Sequence, residues 1–143
     1  MIRQVQDVQA ILSFAQGLLR EGGPENSAVE SPIEVRSPEG MLHSWFVPVT
    51  SDGTIAGFYE FLPDGKFLRF SLYRGDQAYS DWLSPEKLVH CSRDERCGKP
   101  FLSYDGSPAR IVWAVPLIRG EKETLVYVAG KTVYPVPVDA RPQ

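Results

Sequence analysis

The chain is short of the residues that usually announce a chemistry. Its 143 residues include two cysteines and two histidines. Cys91 and Cys97 stand too far apart for the close pairs of a structural zinc site. We therefore expect no metal and no other cofactor. Gly65-Lys66, Gly98-Lys99 and Gly130-Lys131 lack the earlier glycine of a phosphate-binding loop, and no G-x-S-x-G elbow occurs. Acidic residues are dispersed, with no pairing of two carboxylates evident in the chain. Long apolar runs are missing too. The longest, Ile111 to Ile118, has eight residues and contains Pro116, against the roughly 20 that a membrane-spanning helix requires. A large charge excess is also absent. The net charge is −3, which gives no footprint for nucleic acid. Polar residues scattered through the first twenty positions, with no small-residue cleavage site, do not read as a signal peptide. The expected compartment is cytoplasmic, with an exported, leader-trimmed form as the alternative.

What the chain does contain is alternation. Ser44 to Gly75 reads as three antiparallel strands joined by two tight turns, since strand side chains point to opposite faces with period two. Ser51-Asp52-Gly53 and Pro63-Asp64-Gly65 supply the turns, with glycine tolerating the left-handed conformation that a tight hairpin needs. Simple alternation puts Leu68, Phe70 and Leu72 on one face of the third strand and Phe67, Arg69, Ser71 and Tyr73 on the other. The middle strand carries large apolar groups on both faces, so both must be at least partly covered.

Ahead of this meander, Val5, Val8, Leu12, Ala15 and Leu19 recur at helical spacing, broadened by Ile11 and Leu18. They predict an amphipathic helix over 4–21, stopped by Gly22-Gly23-Pro24. Ile33 to Ser37 predicts a short strand. Ser84-Pro85-Glu86 has the form of a helix start, and a second helix is predicted from there to about Arg96. Three strands follow, over 110–118, 123–129 and 132–138. Setting the halves together, Trp45-Phe46-Val47-Pro48-Val49 matches Trp113-Ala114-Val115-Pro116-Leu117, and at the same offset Tyr59 falls on Tyr127. The fold expected is α+β: amphipathic helices packed on antiparallel sheet, as a tandem α-β-β-β repeat. It would form one compact domain over 1–143 with pseudo-repeat halves 3–74 and 84–138.

A helix, then W-x-V-P-V at Trp45 to Val49, a turn with Gly53, Gly57-Phe58 in the second strand and a further Asp64-Gly65 turn resemble the repeats of PepSY-type domains. These are small α+β units of cystatin-like character, often in tandem. The second half departs from the pattern in carrying Leu125 at the position of Gly57. The resemblance implies binding or inhibition of peptidases, or another noncatalytic interaction role. It implies no catalytic residues.

The candidate sites are few. His90, Cys91, Asp94 and Cys97 form the one reactive cluster. On a helix His90 and Asp94 would share a face, while adjacent His90 and Cys91 would diverge by about 100°. Two reduced thiols are the plain reading of the cysteines, and a disulfide closing the short loop is the alternative. The aromatic content of the meander exceeds what one helix-covered face requires. Tyr59, Phe67 and Tyr73 with Arg69 are the candidate binding residues, as an exposed surface for a protein or peptide partner, a second protomer or a ligand. The function expected is a noncatalytic protein- or peptide-binding module. A small-ligand binder with a helix–sheet pocket and a thiol-dependent enzyme using Cys91 are the alternatives. No nucleic-acid or membrane partner is expected.

Overall fold

A computed structural model describes residues 4–23, 25–73, 77–104 and 111–134, with backbone alone for 4–7. In chain order they form α1 (Gln4–Gly22), β1 (Ser27–Val29), β2 (Ile33–Arg36), β3 (Leu42–Ser51), β4 (Thr54–Phe61) and β5 (Phe67–Leu72). There follow α2 (Tyr79–Trp82), a 3-10 turn (Pro85–Leu88), β6 (Arg96–Cys97), β7 (Phe101–Tyr104), β8 (Ile111–Arg119), β9 (Lys122–Ala129) and β10 (Thr132–Tyr134). The fold is α+β, dominated by antiparallel strands. Its chain divides into two compact units, one of residues 1–34 and 42–80, the other of 35–41 and 81–143.

In the first unit β3, β4 and β5 make the expected meander, and β1 adds to β3 through Ser27↔Ser51, Ala28↔Thr50 and Val29↔Val49. Asp52 and Gly53 both take positive φ, 53° and 79°, the conformation of a two-residue hairpin whose twist matches its strands. Helix α1 covers one face. Ile11 and Ala15 meet Trp45, Val47, Val49, Tyr59 and Phe61, with Val8, Leu18, Leu19 and Phe70 around them. The centre of the helix stripe is thus Ile11 and Ala15, while Leu12 is only half-buried. Each large side chain fully buried here is worth about 1.5–3 kcal/mol. The helix closes as its composition predicts, with the Gly23 N–H donating to Leu19 O at 2.9 Å.

Two bulges interrupt the meander. One lies at Val49/Thr50 and the other at Glu60/Phe61. A bulge gives one strand an extra residue, so side chains beyond it change face. At the second bulge Glu60 pairs with Arg69 and Phe61 with Phe67, leaving Leu68 as the extra residue. Phe67 therefore joins the helix-covered face with Tyr59 and Phe61. Strict alternation had placed it with Arg69, and the bulge is the physical reason it is not there.

In the second unit β7, β8, β9 and β10 pair antiparallel in sequence, β6 pairs with β8, and β2 joins β7 in parallel through Val35↔Leu102. Trp82 of α2 packs on Trp113 with ring centroids 5.1 Å apart. On the other face Val112, Ala114 and Tyr127 cluster with Phe101, Leu125 and Tyr134. The helix expected over 85–96 does not form. Only the turn Pro85–Leu88 is helical, and Val89 is already extended at φ −100° and ψ 127°. A disulfide joins Cys91 and Cys97 with Cα atoms 6.2 Å apart. An α-helix would hold these two positions about 9 Å apart along its axis and on different faces. Cys97 instead lies in a strand opposite Leu117.

The internal repeat is not reproduced in register. Tyr59 stands opposite Val47, so Trp45 and Tyr59 share a face. Tyr127 stands opposite Ala114, not Val115, so Trp113 and Tyr127 lie on opposite faces. Among the described residues the second half also lacks the long helix of the first.

Candidate functional site

Strand β5 is the outermost partner of β4, and no other described strand pairs with it. The N–H of Tyr73 donates to Ala56 O at 3.0 Å. Because alternate residues of a strand turn their hydrogen-bonding groups to opposite edges, those of Phe70 and Leu72 point away from β4. The strand is also apolar where it is open. Phe67 is 40% exposed, Leu68 38% and Leu72 72%. Beside Phe67 lies Phe14 of α1, half exposed and stacked on it at 6.4 Å, with its edge on Phe61 at 5.8 Å. An open strand edge flanked by two half-exposed phenylalanines is an unusual pairing of features, since edges are commonly shortened, charged or covered.

The four candidate binding residues do not form one surface. Tyr59 is buried among α1, Phe70 and Phe67, with ring centroids 4.9 and 6.1 Å away. Phe67 shares that face but opens to solvent. Arg69 lies on the opposite face, where its Nε is 3.6 Å from an oxygen of Glu60. Tyr73 packs its ring against Phe58 at 6.0 Å and donates its hydroxyl to Gln77 Oε1 at 2.8 Å. The expected patch of Tyr59, Phe67, Arg69 and Tyr73 is corrected to an edge made by Phe67 and Leu72 with Phe14.

Glu60 was missed by sequence reasoning. It is 4% exposed, accepts a 3.0 Å hydrogen bond from the buried Ser44 hydroxyl and faces Arg69. Beside it Phe46 and Phe58 stack at 4.7 Å. A buried carboxylate needs such partners, because desolvation of an unpaired charge costs several kcal/mol. The group locks β3, β4 and β5 together through side chains as well as backbone. Its signal in the sequence is a glutamate inside an apolar strand, Phe58 to Phe61.

The reactive cluster is rearranged. Cys91 and Cys97 are bonded to each other, so in this form neither is a thiolate nucleophile. Asp94 does not face His90 across a helical turn. It accepts from the Ser92 hydroxyl at 2.9 Å and pairs with Arg119 Nε at 3.2 Å. Glu95 accepts from both the N–H and the hydroxyl of Ser92. These Ser92 bonds, helped by Arg119, hold both carboxyls below their ordinary range. The arrangement is a closed, hydrogen-bonded turn pinned to the end of β8.

Among the described residues no helix is long and apolar enough to cross a membrane. No protein-family model, curated protein or solved structure matches the chain.

Proposed function

We propose that the protein is a noncatalytic binding module that takes up an extended peptide or protein segment along the open edge of β5. The observation that carries this reading is the coincidence of outward backbone groups at Phe70 and Leu72 with the exposed side chains of Phe67, Leu72 and Phe14. Strand addition draws affinity from main-chain hydrogen bonds and selectivity from side-chain contacts. Lys66, exposed at the start of the edge, favours a segment with an acidic residue. The resemblance of the first meander to PepSY-type interaction units accords with the same reading.

Peptides selected from a random library on the intact protein test it, with affinities measured by calorimetry. Leu72→Pro removes one outward N–H and leaves the inward ladder of Ser71 and Tyr73 in place. Selected peptides should bind with Kd of about 100 μM or tighter and lose about tenfold on Leu72→Pro. Binding indifferent to both Leu72→Pro and Phe67→Ser, with the variants folded, would refute the reading. So would a library that yields no binder.

A further inference from the structure

A second feature of the first unit points to a ligand of different chemistry. Where the C-terminal end of α1 meets the sheet there is a cavity of about 310 Å³, lined by Leu18, Glu21, Gly22, Gly23, Tyr59 and Phe70. That volume falls at the lower end of small-molecule sites. Its walls divide by type, with the rings of Tyr59 and Phe70 tilted against each other at 4.9 Å on the sheet side. The helix side brings a carboxylate.

Tyr59 is 5% exposed, yet its hydroxyl makes no hydrogen bond to any described residue. Buried tyrosine hydroxyls ordinarily find a partner, because leaving one unmade forfeits about 1–3 kcal/mol. The hydroxyl is not among the fully enclosed unpartnered atoms, which are Trp45 Nε1, Ser103 Oγ and Trp113 Nε1. It therefore keeps a little exposure, and its residue lines the cavity. Burial raises its pKa, so the group is a neutral donor and acceptor over the physiological range.

The field at this end is negative. A helix C-terminus carries roughly half a negative charge on its open carbonyls, and Glu21 adds a full one. Glu21 makes no ion pair with a described residue. The one basic side chain of the last turn, Arg20, does not offset it locally. Its guanidinium folds back to within 3.9 Å of the Cβ position of Gly17, one turn toward the helix start. Two aromatic residues and a carboxylate lining one cavity suit a cation, which ring quadrupoles also attract.

We propose that this cavity binds a small organic ammonium ion with an aromatic or apolar body. The ammonium sits toward Glu21 and the carbonyl end of α1, the body lies on Phe70 and Leu18, and the Tyr59 hydroxyl meets a polar atom of the ligand. It uses the side chain of Phe70, whereas the open edge of β5 uses that residue's outward backbone groups.

The test uses the full chain and three probes of one shape: 2-phenylethylammonium, 2-phenylethanol and 3-phenylpropionate. Binding is followed by calorimetry and by chemical shifts of the Tyr59 and Phe70 rings. The ammonium should saturate with Kd of about a millimolar or tighter, the alcohol should bind about tenfold more weakly, and the carboxylate should not bind. Glu21→Gln lies on the surface and should weaken the ammonium about tenfold without changing thermal unfolding. Tyr59→Phe keeps the ring and should cost about fivefold. Leu72→Pro should leave ammonium binding unchanged, which separates this site from the edge. The proposal is overturned by absence of saturable ammonium binding, by equal binding of ammonium and carboxylate, or by Glu21→Gln binding like wild type.

Discussion

Gly57 carries a structural demand that one methyl group can measure. A Cβ built on it would lie 2.6 Å from the backbone oxygen of Ser71 and 2.7 and 2.9 Å from ring atoms of Phe70. Ordinary contact begins near 3.4 Å, so the Ser71 oxygen would have to retreat by about 0.8 Å, the difference between 3.4 and 2.6. The ring can swing, but the oxygen belongs to β5 and can move only with its strand. Overpacking of this kind costs about 1–3 kcal/mol. Against it stands the smaller entropy of the unfolded chain, which favours alanine over glycine by about 0.4–1 kcal/mol. The net expectation for Gly57→Ala is a loss of about 1–2 kcal/mol. It should appear in urea unfolding as a lower midpoint with an unchanged slope, and in heat as a fall of about 3–8 °C. Adding Phe70→Leu should recover only part of the loss, because the Ser71 oxygen remains. A variant as stable as wild type or more so would show that β5 is not seated as described, and would undermine the edge and the cavity alike.

Three further outcomes can be checked. Ser44→Ala removes the buried donor to Glu60, and hydrogen bonds to charged groups are worth about 1.5–3 kcal/mol, so urea unfolding should report a loss of that size. Reducing the disulfide, or replacing both cysteines by serine, frees a loop of separation 6 and should cost about 2–2.5 kcal/mol by chain entropy, read from the unfolding midpoint with and without reductant. Ser92→Ala should raise the pKa of Asp94, whose depression comes first from the Ser92 hydroxyl, and raise that of Glu95 less, because the Ser92 N–H that depresses it most remains; carboxyl-resolved NMR titrations read both. The sign for stability follows. Folded carboxyls below their unfolded values contribute above the unfolded pKa, and the contribution fades as pH falls through the folded pKa. The acid limb of unfolding should therefore be shallower in Ser92→Ala, and an identical limb would refute the assignment.

Much of the architecture is legible in local pattern. Helix α1, the three strands of the first meander and the last three strands were all apparent from periodicity and turn residues, within a residue or two at most ends. Strand 132–138 is described only to Tyr134, and Pro135 to Val138 lie outside the described residues. What local pattern misses are events that need a distant partner. Phe101 to Tyr104 becomes a strand because Ile111 to Ala114 pairs with it and Val35 lies beside Leu102. The signs of a helix start at Ser84 were real but yielded to a cross-link from Cys91 to Cys97. A bulge between Glu60 and Phe61 needs both strands to be seen, and it alone decides that Phe67 and Arg69 face apart. That is why four candidate residues of sound chemistry did not make one site. The unpartnered hydroxyl of Tyr59 has no signature in the sequence.

Strand β2 gives the molecule an interleaved thread. Val35 to Met41 belongs by its contacts with residues 81 onward, although the chain on either side of it belongs to the first unit. No single cut can therefore part the two units intact. A fragment beginning at residue 81 would lack Val35, the parallel neighbour of the buried Leu102, and a fragment ending at 80 would lack Leu102 itself. During synthesis Val35 must also wait for Leu102 to emerge, and pairings so far apart in sequence form late because the loop between them must close first. Limited proteolysis between the units should release no stable half. The two are distinct in structure and inseparable in sequence.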